Sequence, residues 1–364
     1  LKAAPLYLGF AATGVGVALP GALLPALIER WHLGDAQSGL LFLMSFLGSS
    51  LGALLVRGSL RLRLVLGSLA IGVASVALGL CRGFGADAWI GLYGAGLGMT
   101  MTTISLVRQQ QAARTGVEMV RLNLLWALGA VLCPSLTVRA LTAGIIQPLL
   151  FGIAACFGAL ACWALFQEEI KLLPAARSTK GPGGFWSVPF GLVAMIFLIT
   201  GIEASAGGWL ATFARRGGHS VADTIAAPTF LWAGLLASRM FWSLTHPWIT
   251  ESNVVRASVA LMASGAVLLI AGGSGWTVLL AAFCLGIGIG PTYPLLLAWA
   301  LHFERGGAIF FLAGLGSACL PWLTGVVSAS RGSLRMGLAV PMVGCLIMLS
   351  IALLRPLSAW ENSS

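Results

Sequence analysis

Charge is what this sequence has least of. Only 9% of its 364 residues are Asp, Glu, Lys or Arg, against about 25% in a soluble globular domain. A chain so poor in charge cannot cover a water-facing surface of its own size, which excludes an ordinary soluble protein. Carboxylates are the scarcer sign: Asp and Glu number 11, Lys and Arg 21, for a net charge of +10. The basic residues lie between apolar runs and form no single patch, so a nucleic-acid partner is not expected. Nucleotide and metal motifs are missing too. There is no Gly-x-x-x-x-Gly-Lys-Ser/Thr loop, no His-Glu-x-x-His and no Cys-x-x-Cys, so neither ATP-driven pumping nor a bound cofactor or metal is expected. No nucleophile, base and orienting group cluster in the sequence, and an enzyme is not expected. The seven cysteines lie mostly inside apolar runs and read as small buried side chains. His32, His219, His246 and His302 fall in loops or at the ends of apolar runs.

Apolar residues fill the space that charge leaves. They make up 58% of the chain, and the mean hydropathy is +0.95. A helix needs about 20 apolar residues to cross a bilayer. Twelve stretches qualify: 5–28, 38–56, 64–81, 88–107, 120–138, 145–166, 188–212, 224–245, 254–272, 276–300, 308–329 and 336–354. All are expected to be helices, because a strand open to lipid would leave backbone groups unpaired. The first, beginning near Pro5, shows no small-residue cleavage site and reads as a retained helix. With the N-terminus on the cytoplasmic side, inside segments hold thirteen Lys and Arg and outside segments seven. That bias expects both termini inside and a multi-pass protein of the cytoplasmic (inner) membrane.

The longest connection, 167–187, contains a Gly-Pro-Gly-Gly stretch and reads as a flexible linker between residues 1–166 and 188–364. The two halves repeat each other. Leu128, Gly129, Pro134, Leu136 and Thr137 recur as Leu315, Gly316, Pro321, Leu323 and Thr324, at an offset of 187 that also carries Gly14 onto Gly201 and Gly21 onto Gly208. At an offset of 192, Gly94, Gly96 and Gly98 fall on Gly286, Gly288 and Gly290. These Gly-x-Gly-x-Gly runs lie inside apolar spans with no strand before them, so they predict close helix packing and not a nucleotide loop. An even number of spans per half makes the repeats parallel in the membrane. Two parallel six-helix bundles with a solute site between them are the layout of the major facilitator superfamily.

Several runs resemble the fucose permease type of that superfamily, the sugar–cation symporters. They are Gly201-Ile-Glu203-Ala-Ser-Ala-Gly207-Gly208-Trp209-Leu-Ala-Thr212 in the seventh span, Phe230-Leu-Trp232-Ala-Gly234 with Arg239 in the eighth, Gly286 through Pro294 with Tyr293 in the tenth, and Leu122-Asn123 in the fifth. The resemblance implies an all-α membrane protein of twelve transmembrane helices in two pseudo-symmetric bundles. It further implies a monomeric transporter that moves a monosaccharide or similar polar solute by alternating access, with coupling to a proton or sodium allowed. The chain departs from the pattern in three places. Its first span carries no carboxylate, its fourth offers only Thr100, Thr102, Thr103 and Ser105 where the pattern has an acidic residue, and the superfamily loop Gly-x-x-x-Asp-Arg-x-Gly-Arg stands here as Gly52-Ala-Leu-Leu-Val56-Arg57-Gly58-Ser59-Leu. Arg57 is therefore a candidate inner-face or gating contact without the usual Asp.

Glu203 is the most informative residue. The other ten carboxylates, Glu29, Asp35, Asp87, Glu118, Glu168, Glu169, Asp223, Glu251, Glu304 and Glu361, fall in loops, tails or span ends. A charge at the bilayer centre costs about 2.5–3.5 kcal/mol and persists where it meets a wet cavity or a partner. A carboxylate there can accept from two sugar hydroxyls or exchange a coupling proton; its bland role is a helix–helix hydrogen bond. Asn123 can both donate to and accept from a hydroxyl, or cap a helix end. Arg239 can pair with Glu203 if the helices bring them together, or serve as a snorkelling or gating contact. Trp126, Trp209, Trp232, Tyr293, Trp299 and Trp322 can stack on a sugar ring or sit at the membrane interface; the first four belong to the candidate site. Two other functions fit the same scaffold: export of hydrophobic drugs or metabolites, and a membrane sensor that transports nothing.

Overall fold

The structure is a computed structural model that describes residues 3–81, 85–111, 115–169, 188–218, 220–245, 249–272, 275–303 and 308–361. Most of the 167–187 linker, from 170 onward, lies outside the described residues. The chain divides into two compact units, Leu1–Leu173 and Pro174–Ser364.

In the first unit the helices are α1 (Ala3–Trp31), α2 (Asp35–Leu54), α3 (Leu60–Leu80), α4 (Ala86–Gln111), α5 (Thr115–Leu136), the short α6 (Val138–Ala143) and α7 (Gln147–Leu165). The second holds α8 (Phe190–Arg216), α9 (Val221–Thr245), α10 (Glu251–Ala271), α11 (Gly275–Phe303), α12 (Ala308–Arg331), the four-residue α13 (Leu334–Gly337), α14 (Ala339–Leu354) and α15 (Leu357–Glu361). Among the described residues twelve helices are long and apolar enough to cross a membrane, as the sequence predicts. The fifth span is broken at Thr137, where Thr137 N and Oγ1 both bond the carbonyl of Pro134. The last is broken between α13 and α14. Neither break is legible in hydropathy.

The faces of α3 show which solvent the helices meet. Leu62, Leu66, Leu69, Val73, Val76 and Leu80 form an exposed apolar stripe at helical spacing, while Ser68 and Ser75 are buried on the other side. A continuous exposed apolar face is a liability in water and the natural surface in lipid. The chain is a multi-pass membrane protein.

Each unit packs by the same scheme. In the first, α1 lies on α5, α2 on α4, and α3 on α4 and α7. In the second, α8 lies on α12, α9 on α11, and α10 on α11 and α14. The repeated glycines make those contacts. A Cβ on Gly14 would lie 2.0 Å from Trp126 O, and one on Gly129 would lie 2.0 Å from Ala11 O. Their counterparts Gly201 and Gly316 meet Gly316 O and Phe197 O at 2.7 and 2.0 Å. In the Gly-x-Gly-x-Gly runs the outer glycines face one helix and the middle one faces another. Gly94 and Gly98 lie on Ser45 O and Ser49 O of α2, and Gly96 lies on Gly67 O of α3. Likewise Gly286 and Gly290 lie on Leu231 O and Leu235 O of α9, and Gly288 lies on Ser258 O of α10. Close approach of helix backbones through small residues is how membrane helices gain dispersion contact.

Candidate functional site

The polar centre of the second unit is built by α8, α9 and α11. Glu203 lies in the middle of α8, half-buried, and Tyr293 in α11 and Arg239 in α9 are half-buried as well. The three lie within electrostatic reach of one another. Glu203 makes no hydrogen bond or ion pair with a described residue. The helix–helix hydrogen bond that would give it a purely structural role is therefore not formed.

Arg239 is held by a consequence of proline chemistry. Pro294 has no N–H, so the carbonyl of Gly290, one turn earlier in α11, loses its helical partner. Arg239 Nε donates to that carbonyl at 3.1 Å. The first unit solves the same problem with a neutral group: Pro20 orphans the carbonyl of Gly16, and Tyr93 Oη donates to it at 3.0 Å. The two units differ in polarity at matching positions. Glu203 corresponds to Gly16 and Tyr293 to Met101 at the offsets of 187 and 192. Ser45 and Ser49 stand where Leu231 and Leu235 do, an offset of 186, and at that offset Arg239 corresponds to Ala53. One unit is charged where the other is apolar.

The other sequence candidates sit elsewhere. Trp209 is fully buried and its indole Nε1 donates to Pro321 O at 3.0 Å, so it locks α8 to α12 and offers no free ring face. Trp232 is 4% exposed and its ring lies against Gly207, 2.7 Å from where a Cβ would stand; it packs α9 on α8. Trp299 is buried and bonds Glu251 Oε2 at 2.6 Å. These tryptophans are scaffold, because large rings are what fill the gaps beside glycine-lined contacts. In the first unit, Trp126 is buried, whereas Asn123 is exposed and its Nδ2 donates to Met119 O of its own helix at 2.9 Å. Arg57 is exposed, and its carbonyl accepts from Arg63 Nε at 3.1 Å.

Sequence reasoning missed one cluster. Glu118, set aside as a span-end carboxylate, is 3% exposed. It accepts from Arg108 Nε at 2.7 Å and Tyr7 Oη at 2.5 Å, and Arg108 Nη2 bonds Tyr7 Oη at 3.0 Å. Arg121 adds a looser contact at 3.7 Å. The cluster ties α1, α4 and α5 at one end of the unit. Arg108 and Glu118 flank the short connection between two spans, which is the only signal the sequence carries for it. Among the described residues no group of three or more His, Cys, Asp and Glu could hold a metal ion.

No protein-family model and no curated protein matches the sequence. Solved structures do match. FucP, the E. coli fucose:proton symporter, in the outward conformation, aligns with a TM-score of 0.64 at 15% identity, over 96% of this chain and 97% of that one. A D-xylose–proton symporter aligns with a TM-score of 0.74 at 12% identity, over 96% and 95%. A bacterial homologue of the human lysosomal transporter Spinster, inward-facing, aligns with a TM-score of 0.72 at 13% identity, over 99% and 96%. Twelve spans in two units of repeated packing, matched along nearly their whole length, establish that this chain has the major facilitator fold.

Proposed function

We propose that the protein is a secondary transporter that moves a small polar solute, a monosaccharide or related compound, across the cytoplasmic membrane by alternating access. One observation carries the reading: Glu203 is a carboxylate at mid-span with no hydrogen-bonded partner among the described residues. Polar groups withdrawn from water are nearly always satisfied, and the exceptions mark function. Arg239 and Tyr293 within its reach add a cation and a hydroxyl, enough to orient a polyhydroxylated solute. The neighbours' printed substrates, fucose and D-xylose with a proton, support the solute class. Coupling to a cation follows from the same carboxylate, and the excess of inside Lys and Arg supports both termini in the cytoplasm.

The test is uptake of a panel of labelled monosaccharides into proteoliposomes, with and without proton or sodium gradients, beside Glu203→Gln. Saturable uptake that is lost in the variant supports the proposal. Uptake with an unchanged pH dependence in Glu203→Gln removes the coupling role. If only hydrophobic dyes move, the protein is an exporter of apolar compounds instead.

A further inference from the structure

We infer that a groove between α1, α5 and α7 holds one acyl chain of an anionic phospholipid, with the lipid phosphate on Arg139. The site lies within the first unit, and nothing in it depends on the chemistry at Glu203.

The groove has a volume of about 310 Å³ and is lined by Ala12 and Val15 of α1, Leu136 of α5, and Leu149, Gly152 and Cys156 of α7 among others. No charged, hydroxyl or amide side chain lines it, so a polar solute finds no partner there. Gly152 makes the room, since a Cβ on it would meet nothing within 4 Å. Leu128, Leu132 and Leu136 form an exposed stripe at helical spacing along α5, a surface that suits hydrocarbon. Along α7 the groove runs from Pro148 to Cys156, a rise of about 12 Å. One leaflet offers about 15 Å of hydrocarbon, so the groove follows most of a lipid tail. Its volume over that length gives a section of about 26 Å², the girth of one extended chain. A helix of a second copy, about 10–12 Å across, has roughly three times that section or more and does not enter.

Charge at the mouth names the headgroup. Arg139 stands three residues past Leu136, in α6, at the end of the unit opposite the Tyr7–Arg108–Glu118 cluster. It is exposed and makes no hydrogen bond or ion pair with a described residue. The other charges that α1, α5, α6 and α7 carry at that end are Glu29 and Arg30, one of each sign. Arg30 is already held by neutral acceptors: its Nη2 donates to Gly79 O at 3.4 Å, and the Gln147 amide oxygen accepts from Nη1 and Nη2 at 3.1 and 2.9 Å. Arg139 is the excess cation, and its planar fork matches a phosphate. Lipid tails are as apolar as the groove, so a tail gains little by leaving the bulk bilayer for it. Preference among lipids is therefore set by the headgroup, and it favours an anionic one.

The experiment is native mass spectrometry of the purified full chain in detergent, titrated with equal amounts of dioleoyl phosphatidylglycerol and dioleoyl phosphatidylcholine. The expected result is a tightest-bound lipid that is phosphatidylglycerol by about fivefold, the worth of one arginine near a headgroup. Arg139→Gln should bring that ratio to about one. Gly152→Leu fills the groove and should remove the tightest-bound lipid of either kind, with thermal melts to check that the variant folds. In the unmutated protein, phosphatidylglycerol should slow alkylation of Cys156 but not of Cys162, which is exposed and outside the groove. This arm needs no variant at all. A preference for phosphatidylglycerol that survives Arg139→Gln overturns the proposal, as does equal protection of the two cysteines or lipid binding unchanged in a folded Gly152→Leu. A dimer that Gly152→Leu dissociates overturns it as well, since the groove would then belong to a second copy of the chain.

Discussion

Replacing Gly129 by alanine would push a methyl group into the backbone of α1. The new Cβ would stand 2.0 Å from Ala11 O, where ordinary contact begins at 3.4 Å. The obstacle is a main-chain carbonyl, so no side chain can swing aside, and α1 and α5 must part by about 1.4 Å or bend. Overpacking of this kind costs about 1–3 kcal/mol, offset by about 0.5–1 kcal/mol because alanine restricts the unfolded chain more than glycine does. With the clash against rigid backbone near the top of that range, the net loss is about 2 kcal/mol. Gly152 in α7 is the internal control, since a Cβ there meets nothing within 4 Å. Gly152→Ala should therefore gain about 0.5–1 kcal/mol. At about 2–4 °C per kcal/mol for a unit of this size, thermal melts of the purified protein should show Gly129→Ala falling by about 4–8 °C and Gly152→Ala rising by about 2 °C. The repeat partner supplies a second trial: Gly316→Ala meets Phe197 O at the same 2.0 Å and should fall equally. Equal shifts in Gly129→Ala and Gly152→Ala would refute the claim that these glycines set helix approach.

Three further outcomes follow from the side-chain clusters. Glu118→Ala strands Arg108, whose side chain is 12% exposed, and should cost about 3 kcal/mol; the Arg108→Ala/Glu118→Ala double variant should cost less than the sum of the two single changes, read by the same melts. Tyr93→Phe removes the donor to the orphaned Gly16 carbonyl and should cost about 1–3 kcal/mol, with no loss of cargo specificity if transport is measured. Glu203→Gln should leave the melting temperature within the range of a surface change, about 0.5 kcal/mol, because the carboxylate makes no hydrogen bond to a described residue; a large destabilisation would mean that it is a structural group after all.

Much of the fold was readable because lipid imposes a strict length and leaves hydropathy little to confuse it. The second span, expected at 38–56 and found at Asp35–Leu54, and the glycine ladders of α4 and α11 were evident from composition and repetition alone. Breaks at Thr137 and between Gly337 and Ala339 were not, since a local turn satisfied by its own hydroxyl or backbone changes no hydropathy average. At the site, Glu203 stood out by its isolation in sequence. Its proximity to Arg239 and Tyr293 did not, because that depends on how α9 and α11 rotate about their axes. Aromatic type proved a poor guide: Trp209 and Trp232 belong to the runs that resemble sugar carriers, yet both fill space between helices. Glu118 was passed over because its partner Tyr7 lies 111 residues away, a separation that no local pattern encodes.

Anchoring a guanidinium to the carbonyl that Pro294 leaves vacant has a mechanical side. Helices flex most readily where proline has cut a rung, and here the severed rung is the handle by which the cation is gripped. Any swivel of α11 at that joint tows the positive charge with it. Position of the hinge and strength of the electric field around Glu203 are thereby geared together, with no relay of intervening residues.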